Sequence, residues 1–71
     1  MKMWICRTKK HGLCLVPLMP IYYEDIDLWC YNEEYEDGTH MLNAGLQLDS
    51  KLYPEVTFKN SPQEVELVLK K

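Results

Sequence analysis

The sequence predicts a mainly β, single-domain protein: one small antiparallel sheet of four or five strands, a meander, a roll or a partly open barrel, with one or two short helical turns. An α+β fold is the alternative class. Three observations predict this. The run Gln63 to Lys70 sets Val65, Leu67 and Leu69 against Glu64 and Glu66, the period of two that a half-buried strand imposes. Short runs of strand formers are separated by turn residues, above all Gly12 and Asp37-Gly38. Pro17 and Pro20 remove backbone donors early in the chain, so no helix is expected before residue 21. The 71 residues suffice for one small domain spanning 1–71 and for no two-lobed cleft enzyme. With 46% hydrophobic and 27% charged residues the chain should fold. Its stability should be marginal, because ordering costs on the order of 1.5 kcal/mol per residue and burial in so short a chain only roughly offsets it.

The elements follow in order. Trp4-Ile5-Cys6-Arg7-Thr8 and Leu13-Cys14-Leu15-Val16 form a hairpin around Lys9-Lys10-His11-Gly12. A bulged turn with left-handed Gly12 pairs Cys6 with Val16 and Thr8 with Cys14, placing both cysteines on one face. A His11-Gly12 loop would instead pair Arg7 with Val16 and separate the cysteines; the bulge is preferred, because a two-residue turn wants Asn or Asp before its Gly. Leu18-Met19-Pro20 then leaves the sheet or follows an edge. Ile26 to Tyr31 reads as a third strand, and a two-residue Asp37-Gly38 turn pairs Tyr35 with His40 and returns the chain through Met41 and Leu42. Leu46-Gln47-Leu48 is a short strand. Asp49 to Tyr53 is expected to form a helical turn capped by Asp49 or Ser50 and stopped by Pro54. Val68 interrupts the polar side of the last strand, so that face should be partly covered or adjoin an interface.

Charge is distributed unevenly. Residues 1–20 hold Lys2, Arg7, Lys9 and Lys10 with no acid; residues 21–50 hold eight acids with no Lys or Arg; residues 51–71 hold four Lys and three Glu. Tyr22, Tyr23, Trp29, Tyr31 and Tyr35 all lie in the acidic part. The Met1-Lys2 start is followed by an apolar stretch too short for a signal peptide. The longest run without charge, His11 to Tyr23, is thirteen residues and too short to span a bilayer. Three cysteines, an odd number with no Cys-x-x-Cys, fit free thiols in a reducing interior. A cytoplasmic location without a membrane segment is therefore expected.

Trp4-Ile5-x-Arg7 with Gly12-Leu13-x-Leu15, and Leu52-x-Pro54-Glu55-Val56-Thr57-Phe58 with Ser61-Pro62 and Glu64-Val65-Glu66-Leu67, resemble short proteins of gut bacteria and their phages or mobile elements. The likeness covers residues 4–20 and 52–69. Its motifs are structural: an aromatic strand, a turn glycine, a Pro-Glu-Val loop and a terminal strand. This chain differs in its basic Lys-Lys-His turn, where an acidic turn is usual, and in its long acidic middle. The resemblance implies an origin in gut bacteria or their phages or mobile elements, and no particular activity.

No catalytic constellation is expected. Cys14 with His11 or His40 is the only nucleophile and base arrangement available, and residues three apart in a turn need not face one another. Zinc bound by Cys6, Cys14 and His11, with Cys30 or His40, would lack the short paired knuckles such sites use. Glu33, Glu34, Glu36 and Asp37 lack the alternating ligand spacing of a calcium loop. Neither a metal nor any other cofactor is therefore expected. The predicted function is a non-catalytic protein-interaction or accessory module. Tyr22, Tyr23, Glu33, Glu34, Tyr35 and Glu36 would contact a basic protein or a second copy, with aromatics setting affinity and acids setting partner choice. The alternative is a nucleic-acid-associated protein using Arg7, Lys9 and Lys10, a small footprint for a chain of pI 5.2.

Overall fold

A computed structural model describes residues 1–69. The strands are β1 (Lys2–Arg7), β2 (Leu13–Val16), β3 (Ile21–Tyr23), β4 (Leu28–Glu34), β5 (His40–Ala44), β6 (Leu46–Leu48) and β7 (Gln63–Glu66). The fold is mainly β and antiparallel, as expected, but the seven strands of the described residues form two open sheets, ordered β6-β2-β1-β7 and β3-β4-β5. The expected helical turns do not occur among the described residues. Asp49 instead caps an isolated turn, accepting the Lys51 N–H on Oδ1 at 3.0 Å while its carbonyl accepts the Leu52 N–H at 3.0 Å. One turn before a proline cannot repay the cost of nucleating a helix.

Both hairpins differ from expectation in register. In the first, the Thr8 N–H donates to Gly12 O at 2.9 Å and the loop is Lys9-Lys10-His11, so Cys6 lies opposite Cys14, and Val16 lies opposite Trp4. Gly12 has the expected positive φ, at 105°. The shift from the expected pairing is two residues, which preserves side-chain parity, and the cysteines do share a face. In the second, Gly38 takes a φ of 85° at the end of a three-residue loop, and its N–H donates to Tyr35 O at 3.0 Å. Glu34 rather than Tyr35 therefore lies opposite His40. A glycine in the left-handed position after a type I turn favours this three-residue loop over the two-residue one.

The strand expected over 26–31 begins at Leu28 and extends to Glu34, and Ile21–Tyr23 pairs with its start as an additional strand. At the far end β7 stops at Glu66, and Lys70 of the expected run lies outside the described residues. Of that run's apolar set only Val65 is half-buried; Leu67 and Leu69 are exposed.

Strand parity explains the core. Trp4, Cys6, Cys14 and Val16 share one face of the four-stranded sheet and meet Trp29, Tyr22 and Tyr31 from one face of the three-stranded sheet, with Phe58 alongside. On the opposite face of the larger sheet Ile5 and Leu13 are covered by Val56, from the irregular segment between β6 and β7. That segment is fastened by Arg7. Its Nε donates to Val56 O, one terminal nitrogen donates to Ser50 O at 3.0 Å, and the other donates to Leu52 O at 3.0 Å and Tyr53 O at 3.1 Å. Gly45, the single residue between β5 and β6, carries the chain from one sheet to the other. A Cβ there would collide with the Leu15 carbonyl and the Val16 side chain.

Two stability measurements test this frame. Arg7→Lys should cost about 2 kcal/mol or more in denaturant unfolding, because an ammonium cannot reach four diverging carbonyls as a guanidinium fork does. Gly45→Ala should cost about 1–3 kcal/mol, since the obstructing Leu15 atom belongs to the backbone and cannot rotate away. Near-neutral results would show that these contacts are incidental.

Candidate interaction surface

The basic and acidic parts of the sequence meet at Asp27. This residue ends the Glu24–Asp27 turn with a φ of 51°. Its carboxylate accepts the N–H groups of Lys9 and Lys10 at 2.8 Å each, the Tyr22 hydroxyl at 2.6 Å, and a contact from His11 Nδ1 at 2.9 Å. Desolvation pushes the Asp27 carboxyl up, but the bonds from Tyr22, the two turn N–H groups and His11 outweigh it and hold the group well below the usual carboxylate range. The same Tyr22 bond, with burial and the charges of Asp27 and Glu24, pushes the phenol up to about 12. The turn between β3 and β4 is thereby clamped to the turn between β1 and β2. Asp27 carries no role in the sequence reading, which places it inside the strand expected over 26–31 rather than in the turn before it.

This clamp accounts for most of the basic hairpin. Arg7 is committed to the carbonyls, and Lys9 lies 3.5 Å from Glu24 and 5.1 Å from the Phe58 ring centroid. Lys10 uses its backbone N–H at Asp27, and its side chain is exposed. The three residues of the nucleic-acid alternative thus do not form a shared outward patch.

The six expected partner-binding residues are also divided. Tyr22 packs at 4.8 Å from Phe58 and 5.2 Å from Trp29, within the inner aromatic cluster. Glu33 shares the parity of Trp29 and accepts a bond from Asn43 Nδ2 at 2.8 Å. Tyr23 and Glu34 have the opposite parity and belong to the outer face, where Glu34 lies 3.9 Å from His40 Nε2. Tyr35 and Glu36 are exposed at the β4–β5 tip, with the Tyr35 hydroxyl 3.8 Å from Met41 Sδ. Asp37 in the same loop is held below the usual carboxylate range, chiefly by the Thr39 hydroxyl and N–H.

Beside Tyr23 the outer face exposes apolar residues that charge reasoning missed. Ile21 is 65% exposed and Leu42 49%, and with Leu18 and Met19 they border a shallow depression of about 370 Å³ over buried Cys30. Parity of β3 and β5 was the available signal, but neither the β3 strand nor the β4–β5 register was evident. A larger groove of about 550 Å³ lies on the other sheet, lined by Met3, Ile5, Leu15, Leu48, Leu52 and Val65 among others. It is mostly apolar, with Tyr53 and Glu66 the polar side chains in its lining.

The thiols lie inside the fold. All three cysteines are buried and free, and Cys14 Sγ lies 3.6 Å from Cys6 O. The hydrogen bond with Cys14 and burial push the Cys6 thiol up, and burial followed by the charge of Cys14 does the same for Cys30. Among the described residues no three His, Cys, Asp or Glu side chains converge on a point where a metal would sit. Nor, among the described residues, is any helix long and apolar enough to cross a membrane. No protein-family model, curated protein or solved structure matches the chain.

The clamp has a pH signature. A carboxyl depressed on folding contributes stability above its unfolded value of about 3.9 and loses it as pH falls towards the folded value. Asp27→Asn should therefore be less stable than the parent near about pH 7, and the gap should narrow on acidification to about pH 2.5. Denaturant titrations at both pH values check this; a gap that stays constant would mean the carboxylate's charge contributes nothing.

Proposed function

We propose that the chain is a non-catalytic protein-binding module that contacts a basic partner through the β3-β4-β5 sheet and the β4–β5 tip. The supporting observation is the outer face itself, where Ile21, Leu42, Leu18 and Met19 surround Tyr23 and are flanked by Glu34, Glu36 and Asp37. An apolar centre with a polar rim is how protein interfaces are built, and tyrosine is among their preferred anchors. The acids give encounter rate and partner choice, while apolar contact gives affinity. Tyr22 drops out of the contact set, because its ring and hydroxyl are already engaged. The free thiols fit a reducing compartment, and with the resemblance at both ends of the chain we place the module among accessory proteins borne by phages or mobile elements. The nucleic-acid alternative gains no support, since Arg7 and Lys9 are engaged within the fold.

The test is recovery of host proteins on the immobilised chain, followed by affinity measurement on the recovered partner. Tyr23→Ala should weaken that complex by roughly 30-fold, about 2 kcal/mol. Replacing Glu34, Glu36 and Asp37 together by amides should slow association and flatten its salt dependence. Unchanged affinity and rate in both variants would refute the assignment of this surface.

A further inference from the structure

β5 is an edge strand, paired with β4 alone. The Tyr35 N–H donates to Thr39 O, which makes those two residues a hydrogen-bonded pair. Alternation along an antiparallel ladder then makes Glu33 with Met41 and Tyr31 with Asn43 the next bonded pairs, so the N–H and C=O of His40, Leu42 and Ala44 point away from β4. Charged residues and prolines are the usual guards of such an edge, and His40–Ala44 contains neither Lys, Arg, Asp, Glu nor Pro. Glu34, Glu36 and Asp37 stand at its His40 end, and residues 21–48 contain no Lys or Arg at all.

The same chain holds a segment of complementary character. After β7, Leu67, Val68 and Leu69 are 61%, 75% and 81% exposed, and the next two residues in sequence are Lys70 and Lys71. We infer that the segment Leu67 to Leu69 of one copy adds to the β5 edge of a second copy as a fourth strand of its β3-β4-β5 sheet. The inference rests on the reading of that sheet as the contact surface, and it names one occupant. Charge sets the direction. An antiparallel strand sets the leucines alongside Leu42 and Ala44 and runs towards the acidic His40 end, so the positive charge that follows in sequence meets the acids, whereas a parallel strand would run away from them. Topology sets the stoichiometry. β7 lies at the edge of the four-stranded sheet opposite β6, the strand into which β5 runs, so the segment meets the β5 of another copy. The contact is head-to-tail, and each copy offers one edge and one strand.

A complementation experiment reads this directly. A strand of this length buries less than a standard interface, so the parent's average mass in sedimentation should rise above that of a monomer over about 10 µM to 1 mM. Leu42→Lys spoils the edge and the double variant Leu67→Ser, Leu69→Ser spoils the segment. Each alone should associate at least tenfold more weakly, and an equimolar mixture should recover a one-to-one dimer that grows no further. Ala44→Lys is the second edge variant should Leu42→Lys fail to fold by circular dichroism. A parent that stays monomeric, variants that associate as the parent does, or a mixture that stays monomeric would each overturn the pairing. Such failure leaves the contact-surface reading standing, because that reading is judged on Tyr23 and the amide variants against a different protein.

Discussion

The Arg7 guanidinium is the constraint on which the rest of this molecule depends. Between β6 and β7 the chain runs through Asp49–Pro62 without a strand or helix, so most of its carbonyls have no ladder to join. Polar backbone groups packed against a sheet must find partners or cost free energy comparable to a lost hydrogen bond. Arg7 supplies four such partners from one side chain at the end of β1. Its backbone extends the same role. The N–H donates to the Ser61 hydroxyl at 2.8 Å, and the carbonyl accepts Trp29 Nε1 at 3.0 Å from the other sheet. One residue thereby joins the first strand, the irregular segment and the second sheet, and Val56 is seated over Ile5 and Leu13 because that segment is held in place.

A second set of contacts fixes how the sheets meet. Gly45 allows the chain to pass from β5 to β6 hard against the Leu15 backbone, and Asp27 binds the turn of one sheet to the turn of the other. Both lie outside the apolar cluster of Trp29, Cys6, Cys14 and Val16, and they give direction to burial that is itself non-directional. Apolar packing alone would tolerate the two sheets sliding over each other. A carboxylate accepting two successive N–H groups does not.

The sequence made some of this legible and hid the rest for physical reasons. Composition and period two revealed the β class, and Gly12 and Gly38 located both hairpin turns, because positive φ at a glycine is a local property. Register was hidden, since loops of two, three or four residues around the same glycine differ only in where the ladder begins. That difference decided the second hairpin, where a shift of one residue moves every β5 side chain to the other face relative to β4. β3 was hidden because three residues have no measurable period. Arg7 is expected from sequence as a nucleic-acid contact and Asp27 only as part of a strand, since nothing in a single sequence tells a charge facing solvent from one facing backbone carbonyls or N–H groups. Of the expected surface residues, Tyr23, Glu34, Tyr35 and Glu36 are outward-facing or exposed at the tip, while Tyr22 was misplaced for the reason that makes tyrosine hard to place: its ring suits a core and its hydroxyl an acceptor.

The shape of the chain explains why apolar side chains remain outside. Its principal extents are 40 × 39 × 17 Å, a thickness of two layers, since packed sheets lie about 10 Å apart and side chains add the remainder. The inner faces of the two open sheets cover each other, and among the described residues no third layer lies on the outer face of β3-β4-β5. Here Ile21, Leu42, Leu18 and Met19 stay in water, and any partner that covers them binds the folded state alone and stabilises it by mass action.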